Sequence, residues 1–270
     1  MRLWQPLRKE IVMKKSITIL CGLFVAATLF AYDAEALLKK AEESTAFYGL
    51  DFKGNYSIVQ SKPGEGNSST EAIMYRRDSE GKWTILVTGP SSEKGKGYLQ
   101  FDGNIWFFDP TDRRFTFTNA KDKFQSSNAN TSDFAPQRYA SDYAIVSHEQ
   151  VKLGALDCVL FELEAKVQNV DYPRLKLWVT VNDGLVRMKE DYSLSGQKLR
   201  TTAVPSYQAV KSDYGTFSVP VKMLITDNLR GKKIGDKVQY EKTQVTISNV
   251  SFGHESNAVY TKAFLETQSN

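Results

Sequence analysis

Histidine and cysteine are scarce in this chain, two of each among 270 residues, and each scarcity excludes some chemistry. The histidines, His148 and His254, are each followed by Glu, and neither falls in a His-Glu-x-x-His or mixed Cys/His spacing. The sequence therefore offers no metal-ligating motif and calls for no cofactor. No Gly-x-Ser-x-Gly elbow occurs, and Glu93-Lys-Gly-Lys-Gly97 lacks the spacing of a phosphate loop. Ser195-Gly-Gln-Lys198 sits in a turn context rather than at a helix start, so it reads as a turn. Cys158, on an alternating segment, reads as a small buried hydrophobe.

Long apolar runs are missing too, with one exception. Ile17 to Phe30 follows the basic Met13-Lys14-Lys15 and ends in Thr-Leu-Phe-Ala31, the pattern of a secretory signal cleaved after Ala31. It falls short of the ~20 residues that span a bilayer comfortably. Met1 to Val12 reads as an upstream extension. An uncleaved anchor is the alternative, and the mid-run position of Cys21 argues against lipidation there. Removing the leader leaves Cys158 without an intramolecular disulfide partner, so stability has to come from a core. It also changes the charge. Of 35 basic and 31 acidic residues, Met1–Ala31 holds five and one, which leaves 30 of each sign. A formally neutral chain gives no reason to expect nucleic acid as a partner. The expected organisation is an extension plus signal over 1–31 and a single exported domain over 32–270.

What the chain does have is alternation. Asp33 to Phe47 reads as a helix, with Asp33 as N-cap and Ala34, Leu37, Leu38 and Ala41 along one stripe. From Phe52 the period becomes two, in runs around Tyr56 and Ile58, Ile73 and Tyr75, and Trp83, Ile85 and Val87. Gly97 to Phe117 then compresses three strands, Tyr98–Phe101, Ile105–Phe108 and Phe115–Thr118, around Asp-Gly-Asn and Asp-Pro-Thr-Asp turns. Its aromatics exceed what one face of a short sheet needs, so both faces must be covered. Ala120 to Asp142 is too polar for a core strand and too long for a hairpin loop. It reads as a lid with a helical piece near Asp133–Tyr139, its Phe124, Phe134 and Tyr139 pointing back at the sheet, or as a surface loop. Seven more antiparallel strands run from Tyr143 to Val250, among them Leu175 to Val181 with Leu177 and Trp178, and Ala258 to Leu265 is a last strand or a helical turn. The expected fold is mainly β, an incomplete antiparallel barrel (half-barrel) with an N-terminal helix and a helical lid over an apolar concave face.

Asp102-Gly-Asn-Ile-Trp106-Phe-Phe-Asp-Pro110 resembles a strand and turn of the outer-membrane lipoprotein-sorting family, the LolA-like periplasmic carriers. It is one residue shorter before the Trp and has Phe108 for a Tyr. Weaker echoes lie at Leu175 to Leu185, Met223 to Asp227 and Thr243 to Val250. The resemblance implies a periplasmic carrier, not an enzyme, that holds lipoprotein acyl chains or other lipids and delivers them to the outer membrane. Its partners would be the acyl chains of lipoproteins, phospholipid or fatty acid, with inner-membrane release and outer-membrane acceptor proteins. By motif position Trp106, Phe108 and Pro110 are assigned to the cavity. Tyr56, Ile58, Ile73, Tyr75, Trp83, Ile85, Val87, Leu175, Leu177 and Trp178 are added from the alternation. A one-residue error in facing would invert these assignments. Two other readings stay open: a lipid hydrolase using the same cavity and one of the histidines, and a non-catalytic envelope scaffold or adhesin whose aromatics are only core.

Overall fold

Residues 32–268 are described by the structure, a computed structural model; the expected leader, with Cys21 and the expected cleavage site after Ala31, lies outside the described residues. Helix α1, Ala34–Glu43, begins where expected, with Asp33 Oδ1 accepting the Ala36 N–H at 3.1 Å, and ends at Ser44, short of Phe47. It buries Leu37, Leu38 and Ala41.

The strands are β1 Asp51–Lys62, β2 Gly66–Arg77, β3 Lys82–Gly89, β4 Gly97–Phe101, β5 Asn104–Asp109 and β6 Arg114–Thr118 in the first half. The second half adds β7 Tyr143–Leu153, β8 Leu156–Ala165, β9 Arg174–Thr180, β10 Val186–Tyr192, β11 Lys198–Ser212, β12 Gly215–Ile234 and β13 Lys237–Gly253. They form one 13-stranded antiparallel sheet, β6-β5-β4-β3-β2-β1-β13-β12-β11-β10-β9-β8-β7. Each half is a meander of adjacent hairpins. Pairing of β1 with β13, Tyr56 opposite Ile247 and Ile58 opposite Val245, joins the halves. The sheet is open and does not close into a barrel. Its connections follow the turn chemistry: Asp102 and Gly103 both take positive φ, 49° and 73°, in the two-residue turn between β4 and β5.

The edges, β6 and β7, are consecutive in the chain. The segment between them, 119–142, therefore has to travel from one edge to the other, and it does so across one face of the sheet as a strap. It carries an Asn130-capped 3-10 turn, Thr131–Phe134, and a short helix α2, Tyr139–Asp142. Beneath it lies the larger apolar cluster, which takes Phe52, Tyr56 and Ile58 from β1, Trp83, Ile85 and Val87 from β3, and Phe124 and Phe134 from the strap. A neighbouring cluster puts Leu37, Leu38 and Ala41 of α1 with Tyr139 against Val159, Phe161, Leu175 and Leu177.

The aromatic meander is covered on both faces, as its composition requires. Tyr98 and Ile105 belong to the cluster beneath the strap, with Phe107 packed against it. On the opposite face Leu86, Leu99 and Phe108, flanked by Phe101 and Phe115, are capped by Leu265 of helix α3, Lys262–Gln268. The tail is thus helical. The ammonium of Lys262 lies 3.6 Å from the centroid of the Trp106 ring, a close cation–π contact.

Gly97 is what lets α3 sit so close. A Cβ there would stand 2.5 Å from Leu265 Cδ2 and 2.9 Å from its Cδ1, inside van der Waals contact. Gly97→Ala is expected to lower stability by about 1–3 kcal/mol through overpacking, read as a drop in urea midpoint. An unchanged midpoint would mean that α3 does not hold this seat in solution.

Candidate functional site

The strap is fastened by polar groups, and its polarity is the reverse of exposure. Ser127, Asn128, Asn130 and Thr131 are all buried. The Asn128 N–H donates to Thr243 Oγ1 of β13 at 2.8 Å and to Gln60 Oε1 of β1 at 3.2 Å, and the Thr243 hydroxyl itself donates to Gln60. Lys123 reaches Asp227 of β12 at 3.3 Å. Asn130 Nδ2 donates to the Tyr172 hydroxyl at 2.9 Å. Toward α1, the Gln137 N–H donates to Thr45 Oγ1 at 2.8 Å. Glu42 accepts the Ala140 and Ser141 N–H groups at 2.7 and 2.8 Å.

The central fastener is Arg200 on β11. Its guanidinium donates two parallel hydrogen bonds to Asp133 of the strap, at 2.7 and 2.8 Å, and one to Asp191 of β10 at 2.8 Å. Lys189 lies 3.2 Å from the other Asp191 oxygen. All these side chains are withdrawn from water, and two cations balance two carboxylates. Bidentate charge-assisted bonds of this kind are strong and direction-specific. Cross-strand register explains the grouping, since Asp191 faces Arg200 and Lys189 faces Thr202 on the same side of the β10–β11 pair.

Beside this latch is a mostly apolar cavity of about 100 Å³. Its floor is Phe52, Tyr56, Val204, Tyr207, Val219, Met223, Ile225 and Ile247, and its walls are Phe134, Ala135, Gln137 and Tyr139 of the strap with Thr45 and Phe47 of the α1–β1 loop. Lys189 and Thr202 supply polar edges, and the buried Thr202 hydroxyl has no hydrogen-bond partner. At one end Phe47, Phe52, Phe217 and Phe252 form an aromatic knot with ring centroids 4.4 to 5.8 Å apart. Arg76 lies over Phe47 at 4.9 Å and is itself paired with Asp78 at 2.6 Å.

The sequence-assigned residues divide into three groups. Tyr56, Phe134 and Tyr139 line the cavity. Ile58, Trp83, Ile85, Val87 and Phe124 share its face and cluster but lie outside its lining, while Leu175 and Leu177 pack in the adjoining cluster under α1. The third group is placed elsewhere. Trp106 and Phe108 lie on the opposite face, because β5 turns Ile105 and Phe107 toward the strap and its even-numbered aromatics toward α3. The same correction applies to β2, where Ala72 and Met74 face the strap-side cluster. Ile73 has the other parity, and Tyr75 meets Phe264 of α3 at 5.8 Å. Trp178 has the opposite parity to Leu175 and Leu177. Pro110 sits in the β5–β6 turn. Sequence reasoning did not find Lys189, Asp191, Arg200 and Thr202, because charged and hydroxyl residues in strands read as solvent-facing. The parity that Arg200 and Thr202 share with Val204 on β11 was the available signal.

Neither His148, which accepts or donates a 2.6 Å hydrogen bond with the Tyr32 hydroxyl, nor His254 lines the cavity. Cys158 is buried, and burial raises its thiol pKa. Among the described residues no cluster of His, Cys, Asp and Glu is arranged to hold a metal, and no helix is long and apolar enough to cross a membrane.

A model for a family described as an uncharacterized protein matches residues 79–267, well over half of the chain. The chain belongs to that family. No curated protein sequence matches it. Among solved structures, a LolA superfamily protein from Nitrosomonas europaea is 21% identical, covering 87% of this chain and 100% of its own, with a TM-score of 0.68. An outer membrane lipoprotein-sorting protein domain from Vibrio parahaemolyticus is 15% identical over 86% of this chain and 97% of its own, with a TM-score of 0.71. A DUF1329 family protein from Desulfovibrio piger is 15% identical, with the same coverages and a TM-score of 0.70. The fold is LolA-like.

Two measurements test this site. Burial pushes the Asp133 carboxyl pKa up, but Arg200, Lys189 and the Asn130 N–H outweigh it, so the pKa lies below the ordinary Asp value. A folded pKa below the unfolded one stabilises fully above the unfolded value, about 3.9, and the contribution is lost as pH falls through the folded value. Strap amides 119–142 are expected to lose hydrogen-exchange protection below about pH 4, after correction for intrinsic exchange. In Asp133→Asn the protection is already low at neutral pH and flat with pH; equal protection in both proteins would refute the latch. Separately, Thr202→Val removes a buried hydroxyl that has no partner and is expected to raise the stability of the ligand-free chain by ~1 kcal/mol. A lower urea midpoint would mean that the hydroxyl is satisfied.

Proposed function

We propose that this protein is a periplasmic carrier that holds acyl chains of lipoproteins, or other lipids, beneath its strap and releases them toward the outer membrane. The observation that carries the reading is the apolar cavity on the sheet floor, closed by a segment that crosses the sheet and is fastened by polar bonds at its face. The family resemblance of the Asp102 to Pro110 segment and the LolA-like fold support it. In the same reading Met1–Ala31 is a leader removed on export, and 32–270 is the mature carrier domain. The outer-membrane delivery step and any release or acceptor protein are part of the proposal.

Size and energy set the mechanism. Ligand pockets usually measure about 300–1,000 Å³, so a cavity of about 100 Å³ is the closed form, and cargo enters when the strap lifts. An acyl chain of about 14 methylenes releases roughly 11 kcal/mol gross on burial at ~0.8 kcal/mol each. Lifting Phe124 and Phe134 off the floor and breaking the Asp133–Arg200 pair offsets part of that gain. The carrier then binds firmly without becoming a trap. No step of this carrier mechanism needs a nucleophile.

The test is organic extraction and mass spectrometry of Tyr32–Asn270 purified without detergent. Acyl lipid is expected with the wild type, and Ile225→Asp, which puts a charge on the cavity floor, is expected to carry at least ten-fold less while remaining folded. Trp106→Ser, on the other face, keeps its lipid. A wild type that is empty and leaves an apolar fluorescent probe unbound would sink the proposal.

A further inference from the structure

Beyond the cavity, the strands β12 and β13 outrun their neighbours. β11 pairs with β12 no further than Arg200 opposite Asp227, and β1 pairs with β13 no further than Ser61 opposite Lys242. After a register break the two strands continue alone, from Gly231 opposite Tyr240 to Ile234 opposite Lys237. Every residue from 229 to 240 is exposed. A two-stranded ribbon without further support is at best marginally stable in water.

The pairing divides its side chains between two faces. Gly231, Lys233, Val238 and Tyr240 share one face by pairing, and a Cβ on Gly231 would fall 2.7 Å from Val238 Cγ1 and 3.0 Å from Tyr240 Cδ1. The glycine therefore leaves room for an apolar surface made by Val238 and the Tyr240 ring. Leu229 lies in the bulge where the register breaks, and Leu229, Val238 and Tyr240 keep 55%, 54% and 37% of their surface in water. Lys232 and Lys237 stand on the other face with Ile234, the Lys232 ammonium beside the β1–β2 turn at Gly64. Over 229–242 the ribbon holds five cations, Arg230, Lys232, Lys233, Lys237 and Lys242, against Asp236 and Glu241. Residues 32–270 together carry 30 charges of each sign, so positive charge has been segregated onto this projection.

We propose that the 229–242 hairpin docks on anionic phospholipid surfaces, its lysines on the headgroups and Leu229, Val238 and Tyr240 in the interfacial layer. Charge complementarity selects this occupant. An amphipathic element with basic and apolar parts is what an anionic bilayer interface accommodates, and a juxtaposed polybasic segment is attracted to it within a Debye length. A neutral carrier would gain from such a contact the ability to dwell at a membrane without an anchor. The docking inference stands on the ribbon alone and does not depend on what the cavity holds.

The experiment is vesicle flotation of Tyr32–Asn270 with pure phosphatidylcholine or with about a third phosphatidylglycerol, at low and at physiological salt. The wild type is expected to float with the anionic vesicles, less so at higher salt, and to stay behind with the neutral ones. Lys232→Gln/Lys233→Gln/Lys237→Gln is expected to weaken binding about 100-fold, near five-fold for each cation. Val238→Ser/Tyr240→Ser weakens it even at low salt, which a purely electrostatic contact would not show. Unchanged circular dichroism and thermal midpoint establish that the variants are folded. The proposal is overturned if the wild type ignores both vesicles, if the variants float equally well, or if the lysine variant instead loses affinity for an oligonucleotide that the wild type binds.

Discussion

The pairing of β1 with β13 is the constraint from which the rest follows. It welds two meanders into one sheet and, because each meander is laid down by adjacent hairpins, sends β6 and β7 to opposite edges. Those strands are consecutive in the chain, so their connection must span the sheet. Laid flat, twelve inter-strand gaps at ~4.8 Å would separate the edges by roughly 58 Å. A strap that also forms a 3-10 turn and a helical turn spends length on them, and a curled sheet brings its ends within reach. The curl makes a concave face, and the strap is bound to cover it. Topology alone thus produces a covered floor, before any residue is chosen to bind anything.

What the residues choose is how firmly the cover is held. A strap sealed only by apolar side chains would expose them to water on lifting. Here the strap brings down Phe124 and Phe134 but fastens itself through Asn128, Asn130, Asp133 and Gln137. Such groups exchange protein partners for water, and a typical hydrogen bond then nets only about 0.5–1.5 kcal/mol. The Asp133–Arg200 pair behaves differently according to which side is lost. Separated in water, both ions are rehydrated; deleted on one side within the closed state, the remaining charge is stranded. The latch therefore opens as a unit more cheaply than it tolerates damage. The neutral balance of Lys189, Asp191, Arg200 and Asp133 also means that Arg200 still has Asp191 beside it when the strap lifts.

Much of this was legible in the sequence, and the illegible part has physical causes. The strand pattern, the capped helix at Asp33 and the need for cover on both faces of the aromatic meander follow from alternation and turn chemistry, whereas for Phe124, Phe134 and Tyr139 the sequence left a lid and a surface loop both open. Facing failed at β5 and β2. On β5 both parities are apolar, Ile105 and Phe107 against Trp106 and Phe108, so alternation carries no sign there. On β2 bulk pointed the wrong way: Ile73 and Tyr75 are larger than Ala72, yet it is Ala72 and Met74 that face the strap side. The α3 helix, which takes Tyr75 and Phe108, comes from the far end of the chain, and its choice of face is tertiary. The latch was hidden for a related reason. Lys189, Asp191 and Arg200 look like a solvated edge until a polar segment from elsewhere is laid over them.

The two faces of the aromatic meander end with different partners, and the difference bears on how the molecule can move. On the outer face Leu265 is seated against Gly97 with no spare room, and Lys262 lies on Trp106; nothing there exchanges easily with water. On the inner face Tyr98 meets Phe124 at 4.9 Å, but the segment carrying Phe124 is held to the floor by hydrogen bonds that water can replace. The strap thus combines apolar contacts through Phe124 and Phe134 with polar fasteners, whereas the α3 cover is packed through Leu265 and Lys262. In the carrier we propose, a ligand that supplied its own apolar surface would fill the space that Phe124 and Phe134 vacate, so the hydrophobic cost of opening would fall as cargo arrived. On that proposal opening and loading would be one step, which is the behaviour a reversible carrier of apolar chains needs.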